Sequence, residues 1–342
     1  MFSKQTYLSR RNELKRLVGS GVIILFGNNE SPCNYPSNAY SPFRQDSSFL
    51  YYFGLAQPGL VGVIDVDNDS ELLFGDDIDI EDIVWYGSVD SVSQMAASVG
   101  VARTAPMSAL NQLCSQARAA GRTLHFLPPY RHDTMLTITD LLGIHHSRQR
   151  DEASLTLIRA VVKMRSSKTA EEVVELEKAA EIGYQMHTTA MRLARPGVTE
   201  KYVGGQVDGI ARSLGAQVSF ATIFSQHGEI MHGNPSMALL EEGRLALCDA
   251  GAETMSHYCS DNTRTFPFLR VMPTEANYFL CEVLPPYRAS EIVIRMLKQH
   301  NILTRDCSEK PGLPAGKQYM RIAVRNHEDN CRLVEGLKQI HA

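Results

Sequence analysis

No stretch of this sequence approaches the roughly 18 consecutive apolar residues that a membrane-spanning helix needs. The opening segment MFSKQTYLSRRNELKRL carries charge but no apolar core, so it does not read as a secretory signal. Cysteine is sparse and unpatterned: the seven residues Cys33, Cys114, Cys248, Cys259, Cys281, Cys307 and Cys331 are odd in number, with no C-x-x-C pair. That argues against a disulfide framework and against a zinc ribbon. Basic stripes, runs of like charge and low-complexity tracts are also missing. With a net charge of −4 and a pI near 6.3, the chain has no electrostatic footprint for nucleic acid or an anionic membrane. These absences leave a cytoplasmic protein that handles a small molecule or a peptide as the expectation.

What is present is an ordinary globular composition, 44% hydrophobic and 21% charged, in 342 residues that have room for two or three domains. Tyr7–Val18 has helical apolar spacing and stops at Gly19 and Gly21. Val22–Phe26 is a continuous apolar run of the kind found in buried strands. The stretch NNESPCNYPSNAYSP must be loop. Phe49–Phe53 and Gly62–Val66 follow as further short runs, the second pairing with Glu71–Phe74 across Asp67–Asp69 as a hairpin. Helices are expected at Val92–Val99 and Ala109–Ala120, with a strand at Thr123–Phe126, giving an α/β layer structure. Adjacent His145 and His146 point different ways and suit helix-end capping rather than a metal. Residues 151–163 read as a charged linker helix.

In the middle, Thr169 with Glu172 forms a capping box before a long helix with Val173, Leu176, Ala180, Gly183 and Ala190 on one face. Thr199 starts a second helix with Val203, Val207, Ile210 and Leu214 inward and Gly215 just past its end. The segment LALCDAGAETMSHYCSDNTRTFP, residues 245–267, then reads as two strands, Leu245–Asp249 and His257–Thr265, joined by a turn on Gly251. Each strand delivers one carboxylate, Asp249 and Asp261. Cross-strand neighbours lie about 5 Å apart, and two carboxylates that close raise each other's proton affinity unless a cation sits between them. Spacing alone leaves two readings open, a solvated pair and a clamp for Mn²⁺, Mg²⁺ or Ca²⁺.

The wording of that segment resembles a known family. DAGAE followed by Y-C-S-D-x-T-R-T-F-P is similar to the metal-binding hairpin of the pita-bread metallopeptidases, the group of Xaa-Pro aminopeptidase and prolidase. KTAEEVVELEKAAEI and AMRLARPGVTE resemble that family's opening helices, and RQDSSFLYYFGLAQPG (Arg44–Gly59) resembles the N-terminal domain of its aminopeptidase P branch. The resemblance implies that Asp249 and Asp261 are two of five ligands to a divalent metal, manganese or another. It also implies that His232, in FATIFSQHGEIMHGNP, lies beside the metals and contacts the substrate or its leaving group. Here Gly233 follows that histidine where the family usually has Tyr. His187 and His227 have no such match. The N-terminal domain would shape the substrate end of the site and help to build an oligomer, with a homodimer as one form.

After Pro267 the resemblance predicts a histidine in a glycine-rich strand and two glutamates, one of them the general acid/base. His300, His327 and His341 stand in no such strand, so the expected metal site is incomplete. From about residue 269 the text is instead similar to the small C-terminal domain of fold-type I pyridoxal-phosphate enzymes, in the manner of histidinol-phosphate aminotransferase and threonine-phosphate decarboxylase. Its periodicity predicts a βαββα unit: strand Tyr278–Val283, helix Ser290–Gln299, strand Ile302–Arg305, strand Tyr319–Val324 and helix Glu328–Ile340. By that likeness Arg321 would bind a substrate carboxylate as a bidentate fork. The cofactor-binding lysine has no counterpart, Ser167–Lys168 belonging to the capping box, so pyridoxal phosphate is not expected.

The resulting expectation is a mixed α/β and α+β chain: a creatinase-like N-terminal domain over 1–150, an incomplete pita-bread domain over 151–267 and a small aminotransferase-like unit over 269–342. By resemblance it is an Xaa-Pro metallo-aminopeptidase with a peptide substrate. A non-catalytic fusion that binds peptides or partner proteins is the alternative, and a remnant of a pyridoxal-phosphate enzyme a minor one.

Overall fold

The first strand, β1 (Val22–Phe26), shows why the N-terminal sheet forms: Val22, Ile23, Ile24 and Leu25 are all buried, as an apolar run with both faces covered requires. It lies between β2 (Val61–Asp65), antiparallel, and β5 (Leu124–His125), parallel, in a five-stranded sheet of order β4-β3-β2-β1-β5. Strands β3 (Ser70–Phe74) and β4 (Arg103–Ala105) complete it. The hairpin between β2 and β3 turns at Asp67–Asp69, with Asp69 at φ 46°. Helix α1 (Lys4–Val18) ends at Gly19, φ 89°, as its spacing predicts.

The aromatic run at Phe49–Phe53 belongs to a helix, α2 (Ser47–Phe53). Its Asp46 cap accepts from the backbone N–H groups of Ser48 and Phe49, and Gly54 closes it in the left-handed conformation. Phe49, Tyr52 and Phe53 are fully buried between α1 and the sheet, so these aromatics are core. Helices α3 (Val92–Ser98), α4 (Leu110–Ala119), α5 (His132–Leu142), the one-turn α6 (Gln149–Glu152) and α7 (Leu155–Ser166) follow. His145 caps a 3₁₀ turn, its ring accepting from Ser147 N–H.

This computed structural model describes residues 2–36, 38–79, 83–85, 87–230, 232–267, 270–271, 278–284, 286–310, 313–314, 316–323 and 327–341. It divides into two units, Met1–Val174 and Glu175–Ala342. Helix α8 (Ala170–Leu193) carries the expected capping box: Thr169 N–H donates to Glu172 at 2.8 Å, and Glu172 N–H donates back to Thr169 Oγ1. Its buried line is Ala179, Gly183, Met186 and Ala190, whereas Val173 and Ala180 are exposed. Helix α9 (Glu200–Ser213) buries Val203, Val207 and Ala211, while Leu214, expected inward, is exposed beyond the last turn.

These two helices cover one face of a three-stranded sheet of order β10-β8-β7, built from β7 (Ile223–Ser225), β8 (Leu245–Ala250) and β10 (Asn262–Pro267). The alternation along β8 is strict: Ala246, Cys248 and Ala250 are fully buried in the core with Met186, Val203 and Val207. A two-stranded ribbon pairs β6 (Gln217–Val218) with β9 (Ala252–Glu253).

Toward the C-terminus, β11 (Arg270–Val271), β12 (Tyr278–Val283), β13 (Arg305–Asp306) and β14 (Gln318–Ala323) form an antiparallel sheet of order β11-β12-β14-β13. Helices α10 (Ala289–His300) and α11 (His327–His341) accompany it. The expected βαββα order is present with an added edge strand. The short strand is Arg305–Asp306 rather than Ile302–Arg305, because Asn301 ends α10 in the left-handed conformation and the chain needs residues 302–304 to re-enter the sheet. Val324 and residues 268–269, within the join expected near residues 267–270, lie outside the described residues.

Candidate metal centre

The hairpin that carries the two carboxylates holds one register along its whole length. Backbone partners Ala250↔Asn262 and Asp249↔Thr263 continue beyond the strands as Ser260 N–H donating to Ala252 O, and as the Glu253↔Cys259 bridge. Asp261 therefore stands opposite Gly251, two residues along from Thr263, and shares a sheet face with Asp249. They are diagonal neighbours, a relation that spans about 7–8 Å rather than the 5 Å of a directly opposed pair. The face they share is the one opposite Ala246, Cys248 and Ala250, away from the two covering helices.

The reversal is made at residues 254–258, where Thr254 N–H donates to Tyr258 O and His257 adopts φ 63°. Gly251, read above as the turn, has another task. A Cβ there would lie 1.9 Å from the Ser260 carbonyl oxygen and 2.4 Å from Ser219 Oγ. Only glycine lets the two arms and β6 approach this closely between the two aspartates.

Asp249 sits on the central strand, between Thr263 on β10 and Ile223 on β7. Its Oδ1 is buried and has no hydrogen-bond partner among the described residues. A buried acceptor left unmatched costs about 1–3 kcal/mol, more when ionised, and a cation removes that cost. Asp261 is exposed at the mouth of the same face. A hard-oxygen pair of this kind suits a divalent ion, so the residues present fit one. Among the described residues no third His, Cys, Asp or Glu joins them in a metal-holding group.

Under the sheet, His187 on α8 is buried, with Nε2 3.2 Å from the Ala250 carbonyl, to which it donates. Burial holds its pKa below the usual imidazole value, and its Nδ1 is also without a hydrogen-bond partner among the described residues. Cys248 is pushed up to about 12 by burial, with the Asp249 charge adding to the effect, so it stays a thiol in the core. His232 is exposed in the connection between β7 and β8, and His227 in the same connection lies 2.9 Å from Glu229. Arg321 lies on β14, opposite Leu280 and Arg305, in a different sheet from the aspartates.

One residue that the sequence patterns did not single out proves central to this region. Glu200, the first residue of α9, is buried and accepts four hydrogen bonds from Ser225, Gln226 and Ser236. An acidic residue in a first helical turn is common on surfaces, so nothing in the spacing separates this one from an ordinary dipole partner.

Residues 7–125 match the family described as Aminopeptidase P, N-terminal domain, and residues 174–309 match Metallopeptidase family M24. Residues 270–309, likened above to an aminotransferase small domain, fall inside the second match, and the aminotransferase likeness gains no support. The chain is 30% identical to the Xaa-Pro aminopeptidase of Escherichia coli (strain K12) over 276 residues, 78% of this chain and 62% of that protein. It is 26% identical to the Xaa-Pro dipeptidase of Homo sapiens over 285 residues, 76% of this chain and 55% of that protein. The chain thus spans between about half and three fifths of the length of these two relatives. Among solved structures, Escherichia coli aminopeptidase P with the inhibitor Pro-Leu aligns with a TM-score of 0.65 at 28% identity, covering 78% of this chain and 63% of that one. The low-pH form of the Escherichia coli enzyme aligns at 0.68 and 26% identity, covering 88% and 68%.

Proposed function

We propose that the β8–β10 hairpin of this chain, whose residues 7–125 match the aminopeptidase P N-terminal domain and whose residues 174–309 match metallopeptidase family M24, is the carboxylate-bearing part of a divalent-metal peptidase site for Xaa-Pro peptides. The observation that carries the proposal is the buried, partnerless Oδ1 of Asp249 on the face it shares with Asp261. A core sheet does not keep a bare carboxylate oxygen without something to neutralise it.

Asp249 and Asp261 would hold the ion, for which manganese is our first choice. A divalent ion so held supplies Lewis-acid polarisation of a carbonyl and an acidified water. The chain's own residues do the rest of what can be assigned. Asp249 is held in the central strand by pairing on both sides, so its direction is set by the sheet and not by a mobile loop. His232, exposed in the β7–β8 connection, is assigned to the substrate, where its imidazole would donate to a peptide carbonyl or leaving group. The N-terminal domain would contribute to a homodimer.

A second reading rests on a specific observation, that no third ligating group gathers at this pair among the described residues. Under it the chain binds peptide without turnover. Incubation of the purified chain with an Xaa-Pro peptide and excess Mn²⁺, followed by mass spectrometry, separates the two. Release of the residue before proline, abolished in Asp261→Asn, supports a peptidase. Saturable peptide binding without release supports the second reading, and neither effect removes the peptide assignment altogether.

A further inference from the structure

Glu200 is 2% exposed, yet every polar contact its carboxylate makes is to the ends of one surface connection. Oε1 accepts from Ser225 Oγ at 2.9 Å and from Gln226 N–H at 2.8 Å. Oε2 accepts from Ser236 N–H at 3.1 Å and from Ser236 Oγ at 2.6 Å. One oxygen thus holds the start of the segment 226–236 and the other holds its end. Both ends are brought to a single point, which is the defining geometry of an Ω-loop.

The base is reinforced nearby. The Gln226 side chain donates to Leu239 O and accepts from Glu241 N–H, and the Lys201 backbone N–H donates to Ser236 O. One helical turn beyond Glu200, Gly204 makes room for Pro235: a Cβ on Gly204 would lie 2.7 Å from the proline ring. Positions 200 and 204 of α9 therefore form a seat for the C-terminal end of the loop. What the loop carries outward is chemistry: Glu229 and His232 are exposed on it and His227 is half-buried.

We propose that Glu200 is a positioning residue, a buried carboxylate staple that closes the 226–236 loop and so sets where His232 stands. This rests on the reading of His232 as the substrate-facing histidine, which it deepens. A carboxylate at the start of a helix gains from the dipole while exposed; burying it is costly and is repaid only by donors that satisfy all of its lone pairs. Burial alone would raise the Glu200 pKa, but the donors from Ser236, Gln226 and Ser225 outweigh it and hold the group below the usual carboxylate range. The staple is charged and closed at neutral pH.

The test uses the full chain without metal or peptide. Ring signals of ¹³C-labelled histidine and backbone amide exchange are recorded for the native chain and for Glu200→Gln. A carboxamide offers one acceptor oxygen and turns an NH₂ toward the other donors, so one end of the loop is released. We expect amide exchange at Gln226 or Ser236 to rise about tenfold or more, and the His232 ring signal to shift or broaden. His187, anchored to the Ala250 carbonyl on another helix, should keep its signal. Unchanged exchange and an unchanged His232 signal would overturn the proposal, as would a loosening that moves His187 equally. Should Glu200→Gln not fold, Gly204→Ala decides. It displaces Pro235 and should speed exchange at Ser236 while Gln226 stays protected, and native-like exchange at both positions contradicts the staple. Because no cation or peptide is needed, a chain that binds neither and yet shows the His232 shift would sink the peptidase reading and leave the staple standing.

Discussion

The two aspartates differ more than their symmetrical place in the sequence suggests. Asp249 is locked in a central strand with one oxygen buried and unmatched among the described residues, and Asp261 stands exposed two positions from Thr263, the residue opposite Asp249. Asp249→Asn should therefore leave the metal-free chain as stable as the native one, or more so, since the uncompensated charge is gone. Thermal melts without and with Mn²⁺ check this: the ion should raise the native midpoint and raise that of the variant less. His187 gives a pH prediction at the same scale. Its folded-state pKa lies below the ordinary 6.5 because burial opposes the charged ring. The unfolded chain then binds more protons than the folded one over the window between the two values, so stability falls as pH drops below 6.5 and recovers above it. Urea denaturation across that window should show the slope in the native chain, and His187→Gln should reduce it, leaving the part due to His125, whose pKa burial also lowers.

At the scale of elements, the local pattern told most where one influence dominated. Val22–Phe26 is found where its apolar run places it, because five consecutive apolar residues of this kind leave little alternative, and Tyr278–Val283 is a strand despite Glu282 within it. The Thr169–Glu172 box was equally legible, since both halves of a capping box are written in the sequence. The run at Phe49–Phe53 was less so: its aromatics favour a strand by propensity, and the Asp46 cap with Gly54 at the far end decides for helix. Asp46→Ala should accordingly cost about 1–2 kcal/mol in a denaturation experiment, two backbone donors losing their acceptor at once. Gly251 was misread because a glycine between strands suggests a turn, whereas a register of two arms and the third strand β6 is not visible in one dimension. Gly251→Ala places a methyl group against a backbone carbonyl and should destabilise by about 1–3 kcal/mol or more; a loss under 0.5 kcal/mol, roughly the scatter of neutral surface changes, would contradict the close approach. Glu200 escaped notice for a related reason, since its donors come from residues 25 to 36 positions away.

For the whole molecule, the α/β character, the aminopeptidase P-type N-terminal domain and the M24 sequence through residue 309 agree with one another. The carboxylate pair was legible because its phrase is long and specific. What surrounds it was not: the diagonal placement, the buried oxygen and the loop closure depend on register and burial that spacing does not encode. No helix among the described residues is long and apolar enough to cross a membrane. If the β8–β10 hairpin is a metal centre, it takes up a divalent cation. Isothermal titration of Mn²⁺ into the native chain and into Asp249→Asn tests it most directly. We predict saturable binding to the native chain, weakened about tenfold or more in the variant. Identical isotherms for the two proteins, or no binding heat in the native chain, would contradict the assignment of this hairpin as a metal centre.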